Sequence, residues 1–247
     1  MQKLIGMVRR CVEDYNMIQA GDRIAVGVSG GKDSLALLAF LAELRKYNHN
    51  PFSVEAISVD MGLGMDYSGI DKLCDELDVP FHLVKTEIGP IIFDYRKEKN
   101  PCSMCAKMRR GALNQALLDH GMNKLALGHH YDDAVETFMM SLLYEGRISC
   151  FQSVTDLDRT GIIQIRPMLY LHEQTIDNFV KRSNLPVIEN RCPVDKLTKR
   201  EEIKKLIYDM SANYPDMKER IFGAMQRLPL PEWEPKGRYN RPKQQPE

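Results

Sequence analysis

Apolar runs of two kinds alternate along this chain. Short runs such as IAVGV at 24–28 fit buried strands, whereas the longer run SLALLAFLAELRKY at 34–47 has the three-to-four-residue apolar spacing of a helix. Because strands that alternate with helices usually pair in parallel, the pattern predicts an α/β fold whose parallel sheet carries helices on both faces. The other predicted strands span residues 54–59, 81–88, 125–128 and 162–168.

The predicted organisation has three parts. An amphipathic helix with apolar side chains from Leu4 to Tyr15 occupies residues 1–20, and the α/β domain follows at 21–193. Residues 194–247 are expected to form a short helical C-terminal extension with a proline-rich tail. Further helices are predicted through Leu73 and Leu77 and at residues 108–119, 134–146 and 172–184.

The composition excludes several classes of protein. The 247 residues include 34 basic and 34 acidic side chains, so the net charge gives no global argument for nucleic-acid binding. The charge is uneven, since residues 96–110 hold six basic side chains and one acidic one. No apolar run approaches the ~18 residues of a membrane helix, and the start lacks the apolar core of a secretion signal. The sequence therefore predicts a cytoplasmic protein without membrane contact, in which disulfides are not expected.

The hexapeptide SGGKDS at residues 29–34, which we call the SGG loop, joins a predicted buried strand to a helix. Its glycines permit a tight turn whose backbone amides, with the helix N-terminus, can hold a phosphate. The spacing is neither that of a Walker A loop nor that of GxGxxG. We predict phosphate binding here; a plain connection capped by Asp33 or Ser34 is the alternative.

Three cysteines are candidates for chemistry. Cys102 and Cys105 form a CxxC turn ahead of a predicted helix, and Cys192 lies 87 residues after Cys105. A lone CxxC fits a redox pair, half of a zinc site or part of an iron–sulfur site. A four-cysteine zinc ribbon is excluded, but three cysteines with His129 or His130 form a possible zinc site. The remaining cysteines are expected to be structural: Cys11, Cys74 and Cys150.

Four segments resemble, in order, those of the tRNA 2-thiocytidine synthetases, a group of the PP-loop ATP pyrophosphatases. They are NMIQAGDRIAVGVSGGKDSLALL, PCSMCAKMRRGAL, LALGHHYDDAVETFMMSLLYEGR and RPMLYLHEQTIDNFVKRSNLPVIENRCP. The resemblance implies a Rossmann-like fold with the nucleotide over the carboxyl ends of the strands. The terminal zinc-finger CxxC pairs of the related 2-thiouridine synthetases are absent, and a single Cys192 stands where the group often has a CxxC.

The resemblance also implies roles for individual residues. In that group a CxxC pair and a distant cysteine hold a [4Fe–4S] cluster by three irons, here Cys102, Cys105 and Cys192. The open position on the fourth iron can bind sulfide and present it as a nucleophile. An acid of the HHYDD segment would lie at the reaction centre, with Asp133 first and Asp132 and His129 second, although an acid there also fits a helix cap. The residues expected to bind ATP are Ser29, Gly30, Gly31, Lys32, Asp33, Ser34, Asp60, Arg109 and Gly128.

The implied reaction is thiolation of a tRNA base at the expense of ATP, with Mg²⁺ offsetting the phosphate charge. The expected partners are tRNA, a sulfur donor (free sulfide or a source derived from a cysteine desulfurase) and a second copy of the chain in a homodimer. The basic side chains expected to face tRNA, besides residues 96–110, are Lys196, Lys199, Arg200, Lys204, Lys205, Arg238, Arg241 and Lys243.

Three other functions are compatible with the residues. Cys105 or Cys192 would carry a persulfide in a cluster-free thiolase, ending as a disulfide. An ATP-dependent ligase of the lysidine synthetase type would not need the cysteine triplet. A regulatory module that only binds ATP or a metal would release no pyrophosphate with any RNA.

Overall fold

The structure, a computed structural model, describes residues 1–96, 101–157, 160–188, 192 and 199–227. Its helices are α1 (Gln2–Asp14), α2 (Lys32–Leu44), α3 (Ser68–Glu76), α4 (Ile88–Pro90), α5 (Pro101–Asp119), α6 (Tyr131–Glu145), α7 (Glu173–Arg182), α8 (Lys199–Ser211) and α9 (Met217–Arg227), with a π-helix at Ile91–Arg96. Its strands are β1 (Arg23–Gly27), β2 (Ser53–Asp60), β3 (Phe81–Lys85), β4 (Lys124–Ala126), β5 (Val154–Leu157) and β6 (Ile162–Ile165).

The described strands form one sheet in the order β3-β2-β1-β4-β6-β5. Neighbouring strands are parallel throughout except for β5, which runs antiparallel to β6 at the edge. The predicted α/β fold with a parallel sheet is therefore confirmed. The sequence pattern missed β5, because its four residues VTDL are too short and too polar to stand out from a loop.

The two faces of the sheet bury different amounts of apolar surface. Ile24 and Val26 of β1 face the larger core, to which α1, α2, α3, α6 and α7 contribute, whereas Ala25 between them faces the smaller core under α5. Side chains alternate between the faces because the strand has a period of two residues. Cys11 and Cys74 are fully buried in the larger core, as predicted.

The sheet has its topological switch point at β1. From β1 the chain passes through α2 to β2 on one side, and it reaches β4 on the other side only after β3 and α5. The carboxyl end of β1 therefore opens into a crevice between two connections that lead in opposite directions, where open α/β sheets bind ligands. The SGG loop begins at that point.

The C-terminal extension is helical in its described part, where α8 and α9 pack against α6. The amide of Gln226 in α9 also donates a hydrogen bond of 2.9 Å to the hydroxyl of Tyr15, next to α1. The predicted boundary at residue 193 and the tail after Pro229 lie outside the described residues. No helix in the described part of the chain has the length and apolar character needed to cross a membrane.

Candidate active site

The SGG loop is held in shape by its own serines. The hydroxyl of Ser34 accepts a hydrogen bond from the Ser29 amide at 3.1 Å and donates one to the Gly31 carbonyl at 2.8 Å. Gly30 has φ +85°, a left-handed conformation that favours glycine, and its carbonyl accepts from the amide of Ile188 at 2.9 Å. The loop is thus a fixed turn at the N-terminus of α2, anchored to the segment that leads to Cys192.

The SGG loop and the three candidate cysteines line one cavity of about 400 Å³, which we call the cysteine cavity. Its wall includes Ser29 and Gly31 on one side and Arg109 on another. The polar lining therefore combines residues of the SGG loop with thiols and a guanidinium. The cysteines that line it are Cys102, Cys105 and Cys192.

Two of the three cysteines, Cys102 and Cys105, reach this cavity from α5. The helix begins at Pro101, so Cys102 and Cys105 lie in its first two turns; the prediction of a turn followed by a helix from residue 108 was wrong. Cys105 packs against a small cluster that contains Ile88 and Ile92.

The thiols lie close enough to influence one another. Burial raises the pKa of Cys105; Arg109 partly offsets this, while Cys192 and Cys102 raise it further. The sulfurs do not all lie within 4.8 Å of each other, as the ligands of a single zinc ion would. A [4Fe–4S] cluster bound through three separate irons needs wider spacing, so the positions of the thiols argue against one ion held by all three and are compatible with a cluster.

A second cavity, of about 660 Å³, adjoins the first and is named here the histidine cavity. The two share Ser29, Val59, Ala106 and Arg109 in their walls. Neither His129 nor His130 lines the cysteine cavity, so the structure does not bring them to the thiols as fourth zinc ligands. The predicted site residues that line the histidine cavity are Ser29, Asp33, Ser34, Arg109, Gly128, His129 and Asp133.

Asp133 both caps α6 and faces the histidine cavity. Its carboxylate accepts a hydrogen bond from the His130 amide at 3.0 Å, while its own amide donates to the His130 ring nitrogen at 3.4 Å. The other carboxylate oxygen accepts from Arg200 at 2.8 Å. The capping interpretation therefore holds for Asp133, and it leaves the residue at the cavity wall.

Asp132 lies outside the walls of both cavities. Its carboxylate is buried between Lys218 of α9 and the amide of Glu173, which donates to it at 2.7 Å. Burial alone would raise the pKa of Asp132, but the hydrogen bonds from Lys218 and the Glu173 amide outweigh it and lower that pKa. These contacts join α6, α7 and α9, which is a structural role.

His129 presents a neutral ring to the histidine cavity. Burial, reinforced by Arg166, lowers its pKa to about 4. The ring packs against Phe151 at a tilt of 32° with centroids 4.8 Å apart, and its buried Nδ1 has no hydrogen-bond partner among the described residues. A neutral imidazole with an unused nitrogen can hydrogen-bond a bound base or nucleotide.

Lys32 and Asp60 lie outside the walls of both cavities. The Lys32 ammonium is held by Asp177 at 2.9 Å and Glu173 at 3.1 Å, both on α7, and by neighbouring Asp33. Burial lowers the pKa of Lys32, but these carboxylates more than offset it, so its pKa lies above the ordinary range. Asp60, at the end of β2, accepts a hydrogen bond from the Gly62 amide at 3.0 Å.

The sequence analysis missed Arg166, Phe151 and Gln164 in the wall of the histidine cavity. Arg166 is buried, its guanidinium lies 4.9 Å from the Phe151 ring centroid, and its Nε has no partner among the described residues. The sequence did contain a signal for Arg166, because this charged residue directly follows the apolar strand β6. The carboxyl ends of parallel strands lie at one edge of the sheet, so Arg166 must lie at the same edge as Asp60.

Two of the basic side chains expected to face tRNA form ion pairs with acidic side chains of the protein. Arg200 pairs with Asp133 and Glu136, and Lys204 pairs with Glu173 at 2.7 Å. Lys107, Arg109 and Arg110 are part of α5 and lie among the described residues. Six other basic residues expected to face tRNA lie outside the described residues: Lys97, Lys99, Lys196, Arg238, Arg241 and Lys243. The structure does not describe the side chain of Arg96.

Comparisons with known proteins identify the family of this chain. A sequence profile for the PP-loop domain matches residues 5–210. The tRNA-cytidine(32) 2-sulfurtransferase of Pelobacter propionicus is 36% identical over 92% of this chain and 86% of its own length. The chain belongs to the PP-loop family, in the group of the tRNA-cytidine(32) 2-sulfurtransferases.

Two further relatives of this PP-loop protein support the assignment. The tRNA-cytidine(32) 2-sulfurtransferase of Bdellovibrio bacteriovorus is 33% identical over 92% of this chain and 88% of its own length. The solved structure of the U34-tRNA thiolase NcsA from Methanococcus maripaludis, with its [4Fe-4S] cluster, matches with a TM-score of 0.70 and 26% identity. That match covers 87% of this chain and 75% of the other, so the resemblance stated from the sequence is confirmed.

Gly128 offers a test of how closely the SGG loop packs on β4. A Cβ at this position would lie 3.1 Å from the backbone of Asp33 and Ser34. We expect Gly128→Ala to displace the start of α2 and raise the KM for ATP roughly 10- to 100-fold. Gly6→Ala is the matched control, because nothing lies within 4 Å of that Cβ. An unchanged KM in Gly128→Ala would contradict the proposed loop packing.

The neutral state of His129 predicts a pH-dependent stability of this PP-loop protein. Its pKa of about 4 in the folded state lies below the ordinary histidine value of 6.5, so the unfolded chain binds the proton more tightly. The free energy of unfolding should therefore fall as the pH drops from about 6.5 to 4, by at most about 3 kcal/mol. Chemical denaturation of wild type and His129→Gln measures this.

The comparison with His129→Gln is needed because Glu136 acts in the opposite direction. Burial raises the pKa of Glu136 to about 7, which adds stability as the pH falls below that value. The difference between the free energies of unfolding of wild type and His129→Gln at each pH isolates the contribution of His129. Parallel pH curves for wild type and His129→Gln would mean that His129 titrates normally.

Proposed function

We propose that this protein is an ATP-dependent tRNA sulfurtransferase that replaces the 2-oxygen of a cytidine in the anticodon loop, cytidine 32, with sulfur. The observation that carries the proposal is the adjacency of two cavities, one lined by the SGG loop and three cysteines, the other by Asp133 and His129. Arg109 lies in the wall of both. The residues proposed to activate the base with ATP and those proposed to deliver sulfur therefore line neighbouring cavities.

In the first step, the cytosine O2 attacks the α-phosphorus of ATP and pyrophosphate leaves. The amides of the SGG loop and the N-terminus of α2 face the position where the departing phosphates would lie, with Mg²⁺ and Arg109 offsetting their charge. Lys32 holds the loop to α7 through Glu173 and Asp177. Asp133 orients the base or takes a proton, and His129 offers its unused nitrogen to the same cavity.

In the second step, sulfur attacks C2 of the adenylated base, and the C2–O bond breaks as AMP leaves with the original oxygen. Adenylation is needed because it turns a poor oxygen leaving group into a good one. A [4Fe–4S] cluster held by Cys102, Cys105 and Cys192 would supply the sulfur as a nucleophile from the iron that has no thiolate. The sulfur donor and a homodimer are further proposals, for which the resemblance is the only support.

The direct test is a reconstituted thiolation assay. Anaerobically purified protein is incubated with unmodified tRNA, ATP, Mg²⁺ and sulfide, and 2-thiocytidine, AMP and pyrophosphate are quantified by mass spectrometry. We expect the three products in equal amounts, and none with a tRNA that has uridine in place of cytidine 32. Pyrophosphate released with an amine acceptor instead of sulfide would indicate a ligase. No pyrophosphate with any RNA would indicate a binding module.

Binding of tRNA should depend steeply on salt. If about six phosphates are neutralised, the logarithm of the association constant falls against the logarithm of salt concentration with a slope of about −4 to −5. Arg110→Gln should reduce the magnitude of that slope by about 1, whereas Lys3→Gln, on α1 at the opposite face of the sheet, should not change it. A wild-type slope near zero would contradict electrostatic docking.

A further inference from the structure

A group of three metal-binding side chains lies away from both cavities. One ligand atom from each of Glu55, His82 and His120 lies within 4.8 Å of the others. Within the described ranges, no other set of three histidine, cysteine or acidic side chains meets this distance. The Glu55 carboxylate and the His82 Nε2 are 2.7 Å apart, and the two imidazole rings have centroids 3.8 Å apart.

The fold holds these side chains on a fixed frame. His82 of β3 pairs with Ile57 of β2, and Glu55 precedes Ile57 by two residues, so both side chains emerge on the face that α5 covers. His120 follows the last residue of α5, where Gly121 turns the chain with φ +65°.

Arg23 fixes the same turn. Its guanidinium donates a hydrogen bond of 2.9 Å to the carbonyl of His120, and it lies 3.6 Å from one carboxylate oxygen of Glu55. The other oxygen of Glu55 faces His82 and is the one available to a metal. Arg23 thus orients the carboxylate without occupying the ligand position.

The group is remote from the thiolation site. Cys102 and His120 are at opposite ends of α5, about 27 Å apart at the rise of 1.5 Å per residue. Glu55 precedes Asp60 by five residues on β2, so it lies toward the amino end of the strand, away from the SGG loop. The chemistry of this group is therefore independent of the cysteine cavity.

We infer that Glu55, His82 and His120 bind one divalent cation of the zinc class, with water as the fourth ligand. Two imidazole nitrogens and one carboxylate oxygen are a ligand set that zinc accepts in three-ligand sites. Bond lengths of 2.0–2.2 Å place tetrahedral ligand atoms roughly 3.4 Å apart, which small side-chain rotations reach from the present spacing. Two ligands come from paired strands and the third from a fixed turn. Little conformational entropy is therefore lost when the metal binds.

The test measures zinc affinity where the candidate cluster cysteines cannot contribute. Full-length protein with Cys102, Cys105 and Cys192 replaced by serine is titrated with Zn²⁺ in competition with a chromophoric chelator. We expect one Zn²⁺ per chain, and His120→Ala in this background should weaken the affinity at least ~10-fold. His49→Ala is the matched control, since His49 is exposed and outside the group. His120 is exposed too, and an unchanged melting temperature without metal shows that its variant folds.

A spectroscopic measurement separates ligation from an indirect effect. X-ray absorption of the zinc-loaded protein should show two imidazole nitrogens in the coordination sphere, and one in His120→Ala. The proposal is overturned if the triple serine variant binds no zinc at micromolar concentrations. It is equally overturned if His120→Ala binds zinc as tightly as its parent, because the three side chains would then form only a hydrogen bond and a ring contact.

Discussion

Cys192→Ser should abolish thiolation and remove the iron of the anaerobically purified protein. Removing a group that only supports a metal ligand typically lowers metal affinity or activity 10- to 100-fold. Removing a ligand itself has a larger effect, so we expect the thiolation activity to fall by at least about 100-fold. Cys192 lies in the wall of the same cavity as Cys102 and Cys105, and the remaining two thiolates would hold only two irons of the proposed cluster. Iron, acid-labile sulfide and the visible spectrum are measured beside the tRNA assay.

The control for Cys192→Ser is Cys74→Ala, which removes a buried thiol on α3 in the larger core. This variant should lose about 1 kcal/mol of stability and keep its iron and activity. Iron retained in Cys192→Ser would show that Cys192 is not a ligand. A wild-type protein that thiolates tRNA with no iron after reconstitution would favour persulfide transfer through Cys105 or Cys192.

Asp133→Asn should lower kcat for thiolation by 10²- to 10⁴-fold, the range for loss of a positioned acid or base. The fold should survive, because asparagine can still accept the hydrogen bond of the His130 amide, and Arg200 keeps Glu136 as a partner. Thermal unfolding and single-turnover kinetics measured on the same preparation separate the two effects.

Asp132→Asn is the matched control, for which we expect a loss of stability rather than a large loss of kcat. Removing this buried charge weakens the contacts with Lys218 and the Glu173 amide and should cost about 1–3 kcal/mol of stability. Its kcat should fall much less than that of Asp133→Asn. If Asp132→Asn lost the activity and Asp133→Asn kept it, the assignment of the two acids would be reversed.

The alternating sheet and the SGG loop were predictable because both depend on residues that are neighbours in the chain. Apolar runs and helical spacing located β1, β2, β3, β4 and β6, and the order of elements required a parallel sheet. A glycine turn between a buried strand and a helix indicates an anion site wherever the rest of the chain lies. The identity of the cysteine triplet came from the resemblance rather than from spacing, since 87 residues separate its last two members.

The tertiary structure decided which of these residues meet. Asp132 and Asp133 are adjacent and chemically alike, but successive helical positions point in different directions, so one is buried against α9 while the other reaches the cavity. Lys32 meets carboxylates 141 and 145 residues away, and no local pattern specifies such a contact.

Two further features also depend on contacts between residues that are distant in the sequence. They are the packing of Arg166 on Phe151 and the group of Glu55, His82 and His120. Each depends on the register of paired strands and on where α5 ends against the sheet. The sequence by itself determined most of the strands and helices, the position of the SGG loop and the family. The packing of distant elements decided how the side chains combine into sites, because that depends on long-range contacts that local periodicity does not encode.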